Sequence, residues 1–153
     1  MKGEQSSIQV YDKNQIVEEV VELYQSNPDD CGFVMKAEVE ERFDNGNVYF
    51  LHRGGRVACA FDFRHLSRYN HTRIYHTAVA EGFEGEGLRS KLLSSILTES
   101  PYGRVVSKVP VGASENSFWE KEGRLFKREV GRKRDLNVWI VEQMDNEQSL
   151  MQL

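Results

Sequence analysis

A chain of 153 residues has room for one domain and little more, and at that length it can bury a core without metals or disulfides. With 39% hydrophobic and 29% charged residues it has the balance of a soluble globular protein. Its formal net charge of −4 excludes a global electrostatic case for nucleic acid or an anionic membrane. Cys31 and Cys59 form no C-x-x-C pair and show no Cys/His ligand spacing, so neither a metal site nor a disulfide framework is expected. Two scattered thiols, with a polar Met1–Val10 and no apolar leader, fit a reduced, cytoplasmic protein. No apolar run approaches the ~18 residues of a membrane helix, so no membrane partner is expected.

In chain order, Ile8–Val10 reads as a short strand. Asp12, three residues before Gln15, has the form of a capping box. Ile16, Val17, Val20, Val21 and Tyr24 follow at helical spacing, with Glu18, Glu19 and Glu22 on the other side. Asn27-Pro28-Asp29-Asp30 breaks that helix, and a second is expected over Val34–Phe43, with Met35, Val39 and Phe43 stacked at i, i+4. Val48–Arg53 and Arg56–Phe63 flank Gly54-Gly55, a pair suited to the positive φ of a type I′ hairpin turn. Within the second strand Val57, Cys59, Phe61 and Phe63 alternate with Ala58, Ala60 and Asp62. A loop from His65 to His71 leads into a strand over Arg73–Val79. The glycine-punctuated loop Glu81–Gly87 then opens straight into a helix carrying Leu88, Leu92, Leu93, Ile96 and Leu97, which Ser100-Pro101-Tyr102-Gly103 ends. Val105–Val109 reads as a strand, Ser114–Glu122 as a short helix with Gly123 as its C-cap, and Leu125–Val130 and Leu136–Val141 as two closing strands. Residues 1–143 form a single domain, and the polar, unpatterned Met144–Leu153 is expected to be a flexible C-terminal tail. The fold class is α/β, one mixed, strongly twisted central sheet of about six to seven strands flanked by about four helices.

Strand, glycine loop and helix N-terminus in succession make an anion site. The first N–H groups of a helix lack internal partners, the macrodipole adds positive potential, and glycines let backbone approach a phosphate. The segment Ala78-Val79-Ala80-Glu81-Gly82-Phe83-Glu84-Gly85-Glu86-Gly87-Leu88-Arg89-Ser90-Lys91-Leu92-Leu93 resembles motif A of the GNAT superfamily of N-acetyltransferases, with Val79, Phe83, Gly85, Gly87, Leu92 and Leu93 in register. Further along, Asn116-Ser117-Phe118-Trp119-Glu120-Lys121-Glu122-Gly123 resembles the family's motif B, and the order of elements matches the family's fold over nearly the whole chain. The chain departs from the pattern at Glu84, in place of Arg or Gln, at Arg89, in place of a small residue, and at Gly112, Trp119 and Arg124, in place of asparagine, tyrosine and phenylalanine. Glu81, Glu84 and Glu86 set carboxylates around a loop meant for a diphosphate, with Arg89, Arg73 and Lys91 as cations to offset them.

The resemblance implies direct transfer of an acetyl group from acetyl-CoA, as cosubstrate and without a metal, to a primary amine. It implies cofactor contacts at Thr77, Ala78, Val79, Glu84, Gly85, Glu86, Gly87, Leu88, Arg89, Ser90, Asn116, Phe118 and Trp119. The backbone N–H of Val79 would face the oxyanion, and His76 is the first choice of general base, ahead of Glu81, Asp62 or a water relay. Indole has no useful acidity, so Trp119 cannot replace the family's proton-donating tyrosine, and Ser107 is the substitute donor considered. The acceptor is open between small molecule, protein and nucleic acid. A different reading is a non-catalytic GNAT-fold binding module that holds a nucleic acid or acidic partner on Arg124, Lys127, Arg128, Arg132, Lys133 and Arg134, a cluster that otherwise reads as a solvated hairpin. The resemblance also allows a homodimer through the C-terminal strand.

Overall fold

The computed structural model of the chain describes residues 11–143. The expected strand at Ile8–Val10 and the expected tail from Met144 lie outside the described residues. Helix α1 (Lys13–Gln25) starts where Asp12 caps it, Oδ1 accepting from the N–H of Asn14 at 3.0 Å. Gln15 reaches forward to Glu19 instead of back, so only half of the expected capping box forms. The Pro28-Asp29-Asp30 breaker ends α1 and then becomes a single helical turn of its own, α2 (Pro28–Cys31), since proline suits the first helical position. Helix α3 (Lys36–Asp44) begins two residues later than expected: Met35 is its extended N-cap and is exposed, leaving Val39 as the fully buried member of the expected stack.

Six strands follow, β1 (Val48–Arg53), β2 (Arg56–Leu66), β3 (His71–Val79), β4 (Arg104–Pro110), β5 (Arg124–Glu129) and β6 (Leu136–Glu142). Helix α4 (Leu88–Glu99) lies between β3 and β4, and α5 (Asn116–Glu122) between β4 and β5. The sheet order is β1-β2-β3-β4-β6-β5, antiparallel at every pairing except β3 with β4. Gly54 and Gly55 take φ of +60° and +80°, the left-handed pair the hairpin needs. Among the described residues no helix is long and apolar enough to cross a membrane.

Strand β2 is buried on both faces from Val57 to Phe63, because helices cover the sheet on either side. Cys59, Phe61 and Phe63 pack with Leu88, Leu92, Leu93 and Ile96 of α4 and Trp119 of α5. On the other side Ala60 and Ala78 pack with Ile16, Val17, Val20 and Tyr24 of α1 and Val39 of α3.

Two irregularities of β3 position the site. Asp62 pairs with His76 and Phe63 with Ile74, so Tyr75 is an extra residue, a β-bulge. Pairing with β4 covers only Thr72–Val105, Arg73–Val106 and Ile74–Ser107, so it stops at that bulge. Beyond it β3 stays with β2 as far as Val79, while β4 stays with β6 as far as Pro110. The two parallel strands therefore part into a wedge that opens toward their C-terminal ends.

Candidate functional site

The wedge exposes backbone. Ala80 N donates to Ala58 O at 2.7 Å, which fixes the alternation along β3: the polar groups of Ala78 face β2, and those of Thr77 and Val79 face the β4 side, where no strand pairs. Thr77 O has the thiol of Cys31 at 3.5 Å, and the buried Thr77 Oγ1 has no partner. Burial pushes the thiols of Cys31 and Cys59 up to about 12, so neither is a nucleophile at neutral pH.

After β3 the chain turns at Gly82, Gly85 and Gly87, all with φ between +75° and +95° and open space where a Cβ would stand. Phe83 N returns to Ala80 O, Gly82 N is taken by Glu84 Oε1 at 2.9 Å, and Lys91 N starts the α4 ladder on Gly87 O. The N–H groups of residues 84–90 between them donate to no acceptor among the described residues. This run is an anion nest on a helix N-terminus. The carboxylate of Glu84 is folded onto its own loop, and Glu81 and Glu86 point to solvent. Arg89 lies with its guanidinium over the Phe118 ring at 5.0 Å, its Nε buried without a partner. A cavity of about 360 Å³ joins Val79, Glu84, Gly85, Gly87 and Arg89 to Asp30, Glu115 and Phe118. This donor set fits a diphosphate. A neighbouring cavity of about 520 Å³ shares Val79 and Glu84 and is lined by Glu19, Glu22, Glu81 and Arg56.

At the bulge sits a buried charged chain. Arg42 Nη1 lies 2.7 Å from Asp62 Oδ2, and Asp62 Oδ1 lies 3.0 Å from His76 Nδ1. Asp62 is 0% exposed. A carboxylate held by arginine accepts and does not donate, which places the imidazole proton on Nδ1 and leaves the lone pair on Nε2. Nε2 makes no hydrogen bond among the described residues. The Tyr24 ring packs 5.1 Å from the imidazole, and burial, aided by Asp62, holds its phenol well above the usual range.

A second buried carboxyl, Glu115, lines the wedge cavity. Its Oε2 accepts from Trp119 Nε1 at 2.6 Å, and its N–H donates to Asp30 Oδ1 at 3.0 Å. Asp30 also takes the Ser114 hydroxyl, so α2 is clasped to the turn that enters α5. Burial lifts the Glu115 carboxyl to about 7, against the opposing pull of the Trp119 hydrogen bond and the Arg89 charge.

Of the residues expected at the site, Val79, Glu84, Gly85, Gly87, Leu88, Arg89, Ser90 and Phe118 share the cavity wall. Thr77 and Ala78 lie buried on β3, Glu86 is exposed on the loop, and His76 stands at the bulge. Three expectations are corrected. Trp119 is 0% exposed and serves the core, packed edge-on against Phe61 and Phe118. Asn116 spends its amide on Pro110, Val111 and Ala113 carbonyls and its oxygen on Asn137 and Trp139, so it braces the β4–α5 turn. Ser107 is buried on the last paired rung below the wedge, where β4 is held by β3 and β6. Arg73 and Lys91 do not line the cavity. Asp62 serves as a partner of His76 and not as a base itself, since both its oxygens are engaged. On the C-terminal hairpin Arg124 pairs with Glu142 and Lys127 with Glu129, which neutralises part of the basic cluster. Sequence reasoning passed over Asp30, Arg42 and Glu115. The i, i+4 spacing of Glu115 and Trp119 was the one local sign of the last.

No family model and no curated protein matches the sequence. Solved structures do match the fold. Ard1 from Thermoplasma volcanium aligns with a TM-score of 0.74 at 17% identity, over 91% of this chain and 98% of that one. RimL, a ribosomal L7/L12 α-N-protein acetyltransferase in complex with coenzyme A, aligns at 0.64 and 15% identity, over 88% and 92%. GphF, a GNAT-like decarboxylase in complex with isobutyryl-CoA, aligns at 0.71 and 11% identity, over 89% and 98%. The resemblance drawn from the two motifs is borne out at the level of fold.

Proposed function

We propose that this chain, which has the GNAT fold, binds acetyl-CoA along the wedge and the glycine loop and transfers the acetyl group directly to a primary amine. The observation that carries this reading is the unbroken run of free N–H groups over residues 84–90, opening into the same cavity as Val79. Those N–H groups and Arg89 hold the diphosphate. The Thr77 N–H and the polar groups of Val79, left unpaired by β4, offer the pantetheine arm a strand edge to pair with. RimL and GphF, similar in fold, hold coenzyme A or an acyl-CoA, which supports the same use of the wedge here.

Acetyl-CoA supplies the activated acyl group and the thiolate leaving group. The rest falls to the chain. The Val79 N–H stabilises charge as it develops on the carbonyl oxygen, in a site where its orientation is already fixed. His76 Nε2 takes the proton that the attacking amine loses, and Asp62, held by Arg42, keeps the imidazole in the tautomer that allows it.

Calorimetric titration with acetyl-CoA and with free coenzyme A tests the reading. Micromolar binding is expected, weakened about tenfold or more by Gly87→Val, because a β-branched residue at φ +75° strains the loop and crowds the phosphates. No heat at millimolar ligand, or equal affinity in a folded Gly87→Val protein, sinks it.

A further inference from the structure

The wedge cavity is lined by a buried carboxyl, Glu115, that the reaction above does not use: its base, His76, stands at the bulge beside Asp62 and Tyr24. We propose that Glu115 is the acid of this cavity, the group that returns a proton to the sulfur as the thioester breaks. The inference rests on the acetyl-transfer reading and adds to it the group that its other residues leave out.

The geometry comes first. Glu115 lines the same cavity as Val79, Gly87 and Arg89, at the mouth of the wedge. Its backbone is pinned by Asp30, and one carboxyl oxygen, Oε2, is held by Trp119. The other, Oε1, makes no hydrogen bond among the described residues. Trp119 cannot give up a proton itself, but its indole fixes the carboxyl that can. Ser107, the donor expected from the sequence, lies below the wedge. The groups facing Glu115 are Asp30 and Cys31 from α2, His76 from β3, Arg89 from α4 and Trp119 on its own helix. Arg89 and Trp119 favour the ionised form and burial outweighs them, so with a pKa of about 7 roughly half of the molecules carry the proton at neutral pH.

The step balances. The amine nitrogen forms the new C–N bond and loses one proton to His76 Nε2. The C–S bond breaks with its electron pair going to sulfur, and sulfur takes the Glu115 proton. Turnover leaves His76 protonated and Glu115 ionised, and one proton passing between them restores both, so no outside acid, base or oxidant is consumed. A thiol holds its proton with a pKa of about 8.5, above that of Glu115, so the transfer runs downhill.

Glu115→Gln tests this, since the amide oxygen still accepts from Trp119 and the fold is kept. Carboxyl carbon NMR on the free wild-type protein should show one resonance, lost in Glu115→Gln, that titrates near 7 and moves upward when free coenzyme A is added. Thiol release from acetyl-CoA to an arylamine, an acceptor uncharged across the range, should fall on the alkaline side of neutrality in the wild type. In Glu115→Gln it should be roughly 10²-fold slower and lack that alkaline limb, and Glu115→Asp should regain the limb. A resonance titrating in the ordinary carboxylate range, or a Glu115→Gln protein with the wild-type rate and limb, overturns the proposal while acetyl transfer stands. A wild-type protein that binds no coenzyme A overturns both.

Discussion

Glu115 and Asp62 are both buried acids, and the fold treats them in opposite ways. Asp62 has Arg42 and His76 against it, two charge-assisted hydrogen bonds that replace its water. Glu115 has one indole N–H and a distant guanidinium, which leaves the ionised form under-solvated. Its folded value near 7 stands above the 4.5 of an ordinary glutamate. The native state therefore binds the extra proton over that interval, and stability falls as pH rises through it. Glutamine at 115 does not titrate. Glu115→Gln should match the wild type below about pH 4 and exceed it by about 3 kcal/mol above pH 7, as denaturant melts at about pH 4 and about pH 8 would show. A pH-independent difference would mean that the carboxyl is not held protonated. The same substitution is expected to slow the proposed acetyl transfer and steady the fold, the trade met where a site keeps a strained group.

Between elements, one tight junction is where α5 hands over to β5. The sequence marks Gly123 as a C-cap, and a glycine is needed there, but for another reason. Its φ of −150° is open to any residue. What excludes a side chain is β6: a Cβ at 123 would stand 2.2 Å from Ile140 O and 2.7 Å from Val141 Cγ2. Arg124 pairs with Ile140 in the adjoining strand, so the backbone cannot back away. Gly123→Ala should cost at least about 2 kcal/mol, read as a lowered midpoint in thermal melts. Because β6 also carries β4, one wall of the wedge, coenzyme A binding should weaken in the same variant.

For the molecule as a whole, local patterns were legible and meetings were not. The strand-loop-helix from Arg73 to Leu97 could be read because its glycines and leucine spacing are contiguous. The wedge could not, since it depends on Tyr75 being one residue too many against β2 and on where β4 stops pairing. Asn116 and Trp119 sat at motif positions and were assigned to a ligand, whereas neighbours distant in sequence, Asn137, Trp139 and Phe61, had already engaged them. Glu115 was one acid among 24, and only tertiary burial sets it apart.

The acids around the loop have an effect at longer range. Glu81 and Glu86 are exposed beside the nest, and Glu19, Glu22 and Glu81 line the cavity next to it, against Arg56 and Arg89. A multiply charged anion thus meets a repelling field before it reaches the free N–H groups of the loop, on a molecule already at −4. Salt shortens the Debye length from about 30 Å at 0.01 M to about 8 Å at 0.15 M, which hides that field and leaves the short contacts in place. Stopped-flow association with coenzyme A should therefore quicken as salt is added, the reverse of the steering that basic phosphate-binding clefts provide, and the resting ionic strength of its surroundings becomes part of how fast this protein loads.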